Sequence, residues 1–254
     1  MRIGIGAPPQ GTPGTGLGSV VRLLTGEPWL TNRPDGRQSE RVATGWEWDS
    51  SATTLRLKLR KDVYFHDGDR LTPEIASAAL RDSVTHPGRD GSSFASVTSI
   101  TPTGDDTVVL KLAEPNSFLL SDLSGLLVVK RKDKTEVLTG PFRVVSQTPE
   151  SATLSAFPQY YRGRPGLSGI EVINYATQRK AWTALMRGEI DMLHEVRREA
   201  IDFVQAEKAV KSYQFPRPYY IPLVFNVGHP ALKLAEVRKA LNEAIDRKRS
   251  SGTE

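Results

Sequence analysis

The segment Leu55 to Leu71 (LRLKLRKDVYFHDGDRL) constrains the fold of this 254-residue chain more than any other. Leucines at positions 55, 57 and 59 alternate with basic residues, and alternation with period two is typical of a half-buried strand. Asp67 and Gly68 then predict a turn, because glycine accepts positive φ angles without steric cost. The run Thr72 to Glu74 predicts a helix start, with a capping threonine, a proline at the first helical position and a carboxylate near the positive end of the helix dipole. The segment therefore predicts a strand, a turn and a helix in succession.

Composition narrows the class of protein. Hydrophobic residues make up 38% of the chain and charged residues 25%, which is ordinary for a globular domain. No apolar run approaches the ~20 residues needed to cross a bilayer as a helix. The absence of cysteine excludes disulfides and thiolate chemistry, and it is compatible with a periplasmic or cell-surface location. The net charge of +5 is spread along the chain among acidic residues, which favours a mixed solvated surface and no nucleic-acid partner.

The remainder of the chain alternates strand and helix patterns without an internal repeat. Period-two and apolar runs predict strands at 2–6, 46–59 (a hairpin), 96–101, 107–112, 142–145, 152–156, 170–174, 190–192 and 219–226. Helical periodicity predicts helices at 17–24, 73–84, 178–186, 198–209 and 234–248. In the helix at 178–186 we expect Thr177 to be the cap and the apolar face to consist of Ala181, Trp182, Leu185 and Met186. The order of elements predicts a mixed α/β fold.

The sequence gives only weak indications of a metal, catalytic or phosphate-binding site. His66 and Asp67 have metal-ligand chemistry, but a turn in which the aspartate bonds backbone amides explains the pair better. The histidines at 86, 194 and 229 lack the spacing of a metal site. There is no GxSxG motif, and the Gly14 to Gly18 loop lacks the ending of a phosphate-binding loop. We therefore predict no cofactor, no metal and no enzymatic activity.

Several motifs together resemble one protein family. In chain order they are ATGWEW at 43–48, the 55–71 segment, TGPF at 139–142, FPQYY at 157–161 with GRP at 163–165, RGEID at 187–191, and FN at 225–226 followed by EVRKALNEAIDR at 236–247. The set, spread over about residues 20 to 249, resembles the family 5 extracellular solute-binding proteins. These are the oligopeptide, dipeptide and nickel receptors of bacterial ABC importers.

The resemblance implies a type II periplasmic-binding-protein-like first lobe built from residues 1–33 and 135–233. It implies an inserted α+β subdomain at 34–134, and residues 234–254 as the start of a second lobe plus a tail. Most of the second lobe is expected to be missing, and an export leader is expected to have been removed. The family's anchor for a peptide's charged amine lies in that second lobe, so we expect this chain to bind peptides weakly or not at all.

The resemblance also implies ligand contacts. It places the Gly14 to Gly18 loop, and with it Thr15, Gly16 and Leu17, against the ligand backbone; a flexible connector is an equal alternative. Tyr219 and Tyr220 precede a strand whose family counterpart has a tyrosine facing the cleft, although one of the pair is expected in the core. Asn226 ends that strand, where we expect it to form structural bonds at the hinge.

The implied function is capture of a peptide or similar small solute for delivery to ABC permease subunits, in a periplasmic or extracellular and membrane-associated setting. The alternative is the ligand-sensing domain of a transcription regulator. The apolar stripe of the last helix (Val237, Leu241 and Ile245) also predicts self-association through residues 234–248.

Overall fold

The computed structural model of the chain describes residues 1–6, 16–85, 93–132, 135–196, 201–213 and 223–246. They fall into two compact units, Met1–Phe203 and Val204–Glu254, which are described in turn. Among the described residues, no helix has both the length and the apolar character needed to span a membrane.

Strands and helices follow the predicted alternation. The strands are β1 (Arg2–Gly6), β2 (Leu30–Asn32), β3 (Gln38–Glu40), β4 (Ala43–Trp48), β5 (Thr54–Leu59), β6 (Val97–Thr103), β7 (Thr107–Leu112), β8 (Lys130–Lys132), β9 (Thr135–Val137), β10 (Phe142–Gln147), β11 (Ser151–Ala156), β12 (Gly169–Tyr175) and β13 (Met192–His194). The helices are α1 (Leu17–Thr25), α2 (Pro73–Thr85), α3 (Leu119–Gly125), α4 (Gln178–Met186), α5 (Ile201–Ala206), α6 (Pro230–Lys233) and α7 (Ala235–Glu243), with a 3-10 turn at Ser93–Ser96.

A five-stranded sheet contains the first and the last strand of the first unit. Its order is β10-β11-β12-β1-β13, and β1 pairs in parallel with β12 on one side and with β13 on the other. The other pairings, β10 with β11 and β11 with β12, are antiparallel. The sheet is therefore mixed, and its central strand comes from the start of the chain.

Helices cover both faces of this sheet. Ile3 and Ile5 of β1 point to one face, where they pack with Leu17 and Val20 of α1. Gly4 and Gly6 alternate onto the other face, against which α4 packs. A Cβ atom at Gly4 would lie 2.3 Å from Cδ1 of Ile190, so any larger residue there would force the Ile190 side chain to move.

The residues that α4 buries against the sheet differ in part from the predicted apolar face. The helix begins after Thr177, whose Oγ1 accepts the N–H of Lys180 at 3.2 Å, as expected for a cap. Of the predicted face, Ala181 is buried and Trp182 and Leu185 are partly buried, but Met186 is exposed. Ala184, which the prediction left out, is buried instead. Since β1 presents glycines to α4, the backbones approach closely and small side chains fill the interface.

A second sheet, of order β4-β5-β7-β6, follows the predicted pattern. Leu55, Leu57 and Leu59 of β5 are buried in the larger hydrophobic core, whereas Arg56 and Lys58 point outward. Helix α2 packs on this sheet and begins where predicted, with Thr72 Oγ1 accepting the N–H of Ile75 at 3.3 Å.

Two small hairpins lie where the chain passes between the two sheets. Strands β2 and β3 pair on either side of residues 33–37, and β8, which ends at Lys132, pairs with β9, which begins at Thr135. Trp29 and Leu30, which precede position 33, are buried in the same core as β5. The division into a discontinuous lobe and an inserted subdomain stays a prediction, and these hairpins lie at its boundaries.

The turn after β5 has the structural role that the sequence favours. Asp67 Oδ1 accepts the N–H of Asp69 at 3.2 Å, and Lys130 Nζ lies 2.5 Å from a carboxylate oxygen of each aspartate. His66 lies edge-on to Phe157, and its Nε2–H donates to the carbonyl oxygen of Gly140 at 3.0 Å. The hydrogen bond from His66 therefore joins the 55–71 segment to the TGPF motif.

His66 should make stability depend on pH. Its burial lowers the pKa of its imidazole below the ordinary value, an effect that the Gly140 carbonyl only partly offsets. The unfolded chain then binds more protons below about pH 6.5, so the free energy of unfolding should fall as the pH decreases through that value. Urea unfolding at about pH 7.5 and about pH 5.5 measures the slope.

A His66→Gln variant keeps an N–H donor without titrating, so it should reduce that slope. His229→Gln, at an exposed histidine in the second unit, is the matched control. A slope that is the same in His66→Gln and wild type would contradict the assignment.

The tyrosines of the FPQYY motif enclose a buried carboxylate. Glu27 is 4% exposed, accepts hydrogen bonds from the hydroxyls of Tyr160 and Tyr161, and lies 3.8 Å from the Arg41 guanidinium. Burial, and then the negative charge of Glu27, raise the pKa of Tyr160 and of Tyr161, so both phenols stay protonated as donors. This cluster holds together three segments that are distant in sequence.

The second unit differs from the sequence prediction at its helix. The predicted helix at 234–248 begins as expected, with Leu234 as the cap of α7, but it ends early, at Glu243. A separate short helix, α6, precedes it. Leu241 is 43% exposed and Ile245 is 36% exposed, whereas Val237 is partly covered. Self-association through this stripe stays a prediction.

Candidate functional site

The carboxyl ends of parallel strands are where open α/β sheets bind ligands. In the five-stranded sheet this edge is formed by β1, β12 and β13. Gly6 is level with Tyr175, and Ile5 is level with Asn174 on one side and His194 on the other. These residues, distant in sequence, thus form two adjacent rows at one edge.

The connections that leave β1 and β12 diverge. The chain after β1 leads to α1, which packs against β10, β11 and β12 on one face. The chain after β12 leads to α4, which packs on the opposite face and crosses β1 to reach β13. Adjacent strands whose connections go to opposite faces define a topological switch point, and the crevice outside it is the expected ligand position.

Helix α1 begins at this edge with a glycine. Gly16 has φ 85° and ψ −169°, a conformation that L side chains rarely adopt, and Leu17 is buried in the same core as Ile5. The first turn has no acidic residue and no side-chain cap. Its leading N–H groups therefore retain the positive partial charge of a helix N-terminus, which suits a carbonyl or carboxylate oxygen.

On the opposite face the start of α4 is fixed against the strand ends. A Cβ atom at Gly6 would lie 2.6 Å from the Cα of Gln178, so only glycine lets the helix approach. The side-chain N–H of Gln178 donates to the carbonyl oxygen of Glu195 at 2.8 Å. Glu195, directly after β13, has φ 60°, the left-handed conformation that is uncommon for non-glycine residues. The bond from Gln178 therefore holds the chain in a defined turn at the edge.

The row on the α1 face consists of Asn174, Ile5 and His194. Ile5 is buried, and Asn174 Oδ1 is buried without a hydrogen-bond partner in the described part of the chain. His194 is partly exposed, with Nε2 3.9 Å from a carboxylate oxygen of Glu195. The edge thus combines an apolar centre with hydrogen-bonding groups on both sides.

The predicted ligand contacts are distributed unevenly. Gly16 and Leu17 lie at the edge just described, while Thr15, Tyr219 and Tyr220 lie outside the described residues. Asn226 does not end a strand: the described residues 223–226 form none, and its Oδ1 accepts the N–H of Gly228 at 3.0 Å. Asparagine forms such local turns readily, and here it leads the chain into α6. Whether any of these residues contacts a ligand stays a prediction.

Sequence reasoning missed Asn174, Tyr175 and Glu195 and named His194 only as an unsuitable metal ligand. Each lies at or just after the end of a strand that was predicted within a few residues. The missing information was the pairing of β1 with β12 and β13, which joins these ends. Among the described residues, no group of three or more histidine, aspartate or glutamate side chains is arranged to hold a metal ion.

Comparison with known proteins identifies the family. The model for the bacterial extracellular solute-binding proteins, family 5 Middle, matches residues 38–251. A Brucella ovis protein named as an ABC transporter peptide-binding protein is 26% identical over 229 residues, covering 81% of this chain and 42% of its own length. The Salmonella typhimurium peptide transport periplasmic protein SapA is 24% identical over 266 residues, covering 90% of this chain and 47% of its own.

A solved structure gives the same fold. The crystal structure of a nickel ABC transporter protein from Bacillus halodurans superposes with a TM-score of 0.75 at 19% identity, covering 99% of this chain and 55% of that one. The chain spans about half the length of the relatives it matches. Since the family model matches most of the chain, this chain belongs to the bacterial extracellular solute-binding proteins of family 5.

Proposed function

We propose that this chain binds a peptide or similar small solute at the carboxyl edge of β12, β1 and β13, as part of the receptor of an ABC importer. The observation that carries the proposal is the topological switch point between β1 and β12, in a chain that belongs to a solute-binding family. Binding rather than catalysis fits this edge, because its groups are hydrogen-bond donors and acceptors without an activated nucleophile among the described residues.

Peptides match the polarity of the edge. The start of α1 offers N–H donors, which complement carbonyl and carboxylate oxygens. Asn174 Oδ1 and the Glu195 carboxylate are acceptors, which complement amide N–H groups and ammonium groups. A solute with both kinds of group in alternation uses both sides of the edge, and a peptide backbone has that pattern.

The names of the relatives support this class and suggest one competitor. The two sequence relatives are named for peptide binding and peptide transport, and the solved structure is titled for nickel. A nickel complex is therefore the second outcome to test. None of the relatives described above is a transcription regulator, so the regulator alternative has no support from them.

The setting is also part of the proposal. SapA of Salmonella is named as periplasmic, and the matched family is extracellular. We place this chain outside the cytoplasm, associated with the membrane through ABC permease subunits to which the solute is delivered.

We expect the chain alone to bind peptides more weakly than about 1 µM, a binding free energy of about −8 kcal/mol. The reason is that it has about half the length of its relatives. Two-lobed receptors close around a solute and hold it from both sides. When only one lobe is present, water competes with the solute for the polar groups of the site. Titrations followed by amide NMR should use trialanine, a mixed pool of dipeptides to pentapeptides, and nickel(II) with L-histidine.

Shifts at Gly6, Gly16 and Leu17 with trialanine or the pool would support the proposal. Shifts with nickel–histidine alone would replace the solute class. No response to any probe at millimolar concentration would overturn binding by this chain, and a submicromolar complex would show that the site is more complete than proposed.

A further inference from the structure

Asn174 carries a polar atom that the fold leaves unsatisfied. Its backbone N–H donates to the carbonyl oxygen of Glu150 at 2.7 Å, so the strand itself is well bonded. Its side-chain Oδ1 is buried and has no hydrogen-bond partner among the residues that the structure describes. Buried polar atoms are nearly always paired, so each exception calls for an explanation.

The position of this atom distinguishes it from the other buried polar atoms that lack a hydrogen-bond partner. Within the described residues, the others are Trp29 Nε1, Ser77 Oγ and Thr139 Oγ1. Trp29 belongs to the core of the second sheet, Ser77 lies in α2, and Thr139 precedes β10. Only Asn174 lies at the carboxyl edge, next to β1 at the switch point.

We propose that Asn174 Oδ1 accepts a hydrogen bond from an N–H group of the bound solute. The inference rests on the proposed function and deepens it, because it requires a solute that carries amide or ammonium donors. An uncharged acceptor of this kind selects against esters and carboxylates that present only oxygen acceptors at that point.

The row that contains Asn174 also sets a length scale. Asn174 and His194 flank Ile5 on two successive strands, and strands lie about 4.8 Å apart, so the two Cα atoms are roughly 10 Å apart. An extended peptide covers about 3.3 Å per residue. A tripeptide therefore spans the row, with the buried Ile5 beneath its centre and a polar group at each end.

Replacing Asn174 should lower the affinity for peptide without lowering the stability of the fold. Replacing a structural, bonded asparagine by leucine lowers stability, because its partner loses a bond. Replacing an unpartnered acceptor removes a desolvated polar atom, so Asn174→Leu should melt no lower than wild type. The same change should weaken trialanine binding about 10-fold, because the peptide N–H then has no acceptor.

The experiment uses the full chain and two probes, trialanine and its analogue in which an ester oxygen replaces one amide N–H. NMR titrations give the dissociation constants, and thermal unfolding gives the melting temperature. Wild type should prefer trialanine to the ester by about 10-fold, and Asn174→Leu should abolish the preference. Asn174→Asp, which keeps an acceptor, should retain it, and Asn32→Leu, at the exposed end of β2, is the control.

Equal binding of trialanine by wild type and Asn174→Leu, or a preference for the amide that survives in Asn174→Leu, would overturn the inference and leave the proposed function standing. A lower melting temperature would assign Asn174 a structural role and overturn it as well. If Asn174→Leu does not fold, the test is the NMR signal of the Asn174 side-chain amide in wild type. If saturating trialanine does not shift that signal, the inference is likewise overturned. If wild type binds neither trialanine nor any other peptide, the proposed function fails together with the inference.

Discussion

Substituting alanine for Gly140 should destabilise the first unit by about 3 kcal/mol or more, which is at the high end for a point mutation. A Cβ atom there would lie 2.4 Å from the carbonyl carbon of Thr25 and 2.8 Å from the backbone nitrogen of Gly26. Both obstacles are backbone atoms, which cannot move aside as a flexible side chain can. The Gly140 N–H also donates to the Thr25 carbonyl at 2.8 Å, and the Gly140 carbonyl accepts from His66, so Gly140 is held on both sides.

Urea unfolding followed by circular dichroism measures the loss for Gly140→Ala. Gly166→Ala is the matched control, because a Cβ atom at Gly166 meets nothing within 4 Å. We expect the control to stay within about 0.5 kcal/mol of wild type. A Gly140→Ala midpoint equal to that of the control would mean that the Thr25 segment can withdraw from Gly140.

Removing the carboxylate of Glu27 should cost about 3–5 kcal/mol, the range found when one partner of a buried charged pair is deleted. The Glu27→Ala variant leaves the hydroxyls of Tyr160 and Tyr161 without their acceptor and the nearby Arg41 without its counter-charge. The exposed Glu47 provides a control, and Glu47→Ala should change stability by less than about 0.5 kcal/mol.

A double-mutant cycle separates the tyrosine bond from the rest of the cluster. Tyr160→Phe alone removes one hydrogen-bond donor from Glu27. In the Glu27→Ala background the Tyr160 hydroxyl has already lost its acceptor, so the same change removes no bond to Glu27. The two changes should therefore be non-additive by at least about 1 kcal/mol. Strict additivity would show that Glu27 is stabilised by Arg41 and Tyr161 alone.

Most local elements of this chain are predictable, since their signals lie within a few residues. The leucine alternation at 55–59 places β5, and the Thr72 and Thr177 caps place the starts of α2 and α4. The contact face of α4 was predicted correctly at Ala181 but not at Ala184 or Met186, because it depends on Gly4 and Gly6 of a strand far away in sequence. A helix pattern read alone favours the large apolar residues, and here the partner surface selects the alanines.

The candidate site depends even more on distant pairing. Asn174 is the penultimate residue of a strand that was predicted almost to the residue, yet nothing local indicates that β1 lies beside it. Burial of its amide oxygen is a property of the assembled sheet. At Asn226 the prediction failed for a local reason. The apolar run before it suggested a strand, but the Asn226 side chain accepts the N–H of Gly228 and forms a turn.

The central position of β1 also has a consequence for the order of folding. The sheet β4-β5-β7-β6 is complete once residue 112 is available, because its strands are close in sequence. The first strand of the chain, in contrast, must wait for residues 169–175 and 192–194 before either of its neighbours exists. Since contacts of long sequence separation form slowly, residues 2–6 should be the last part of their sheet to gain protection during synthesis or refolding. The carboxyl edge, and any solute affinity that depends on it, should therefore appear only in the final step of folding.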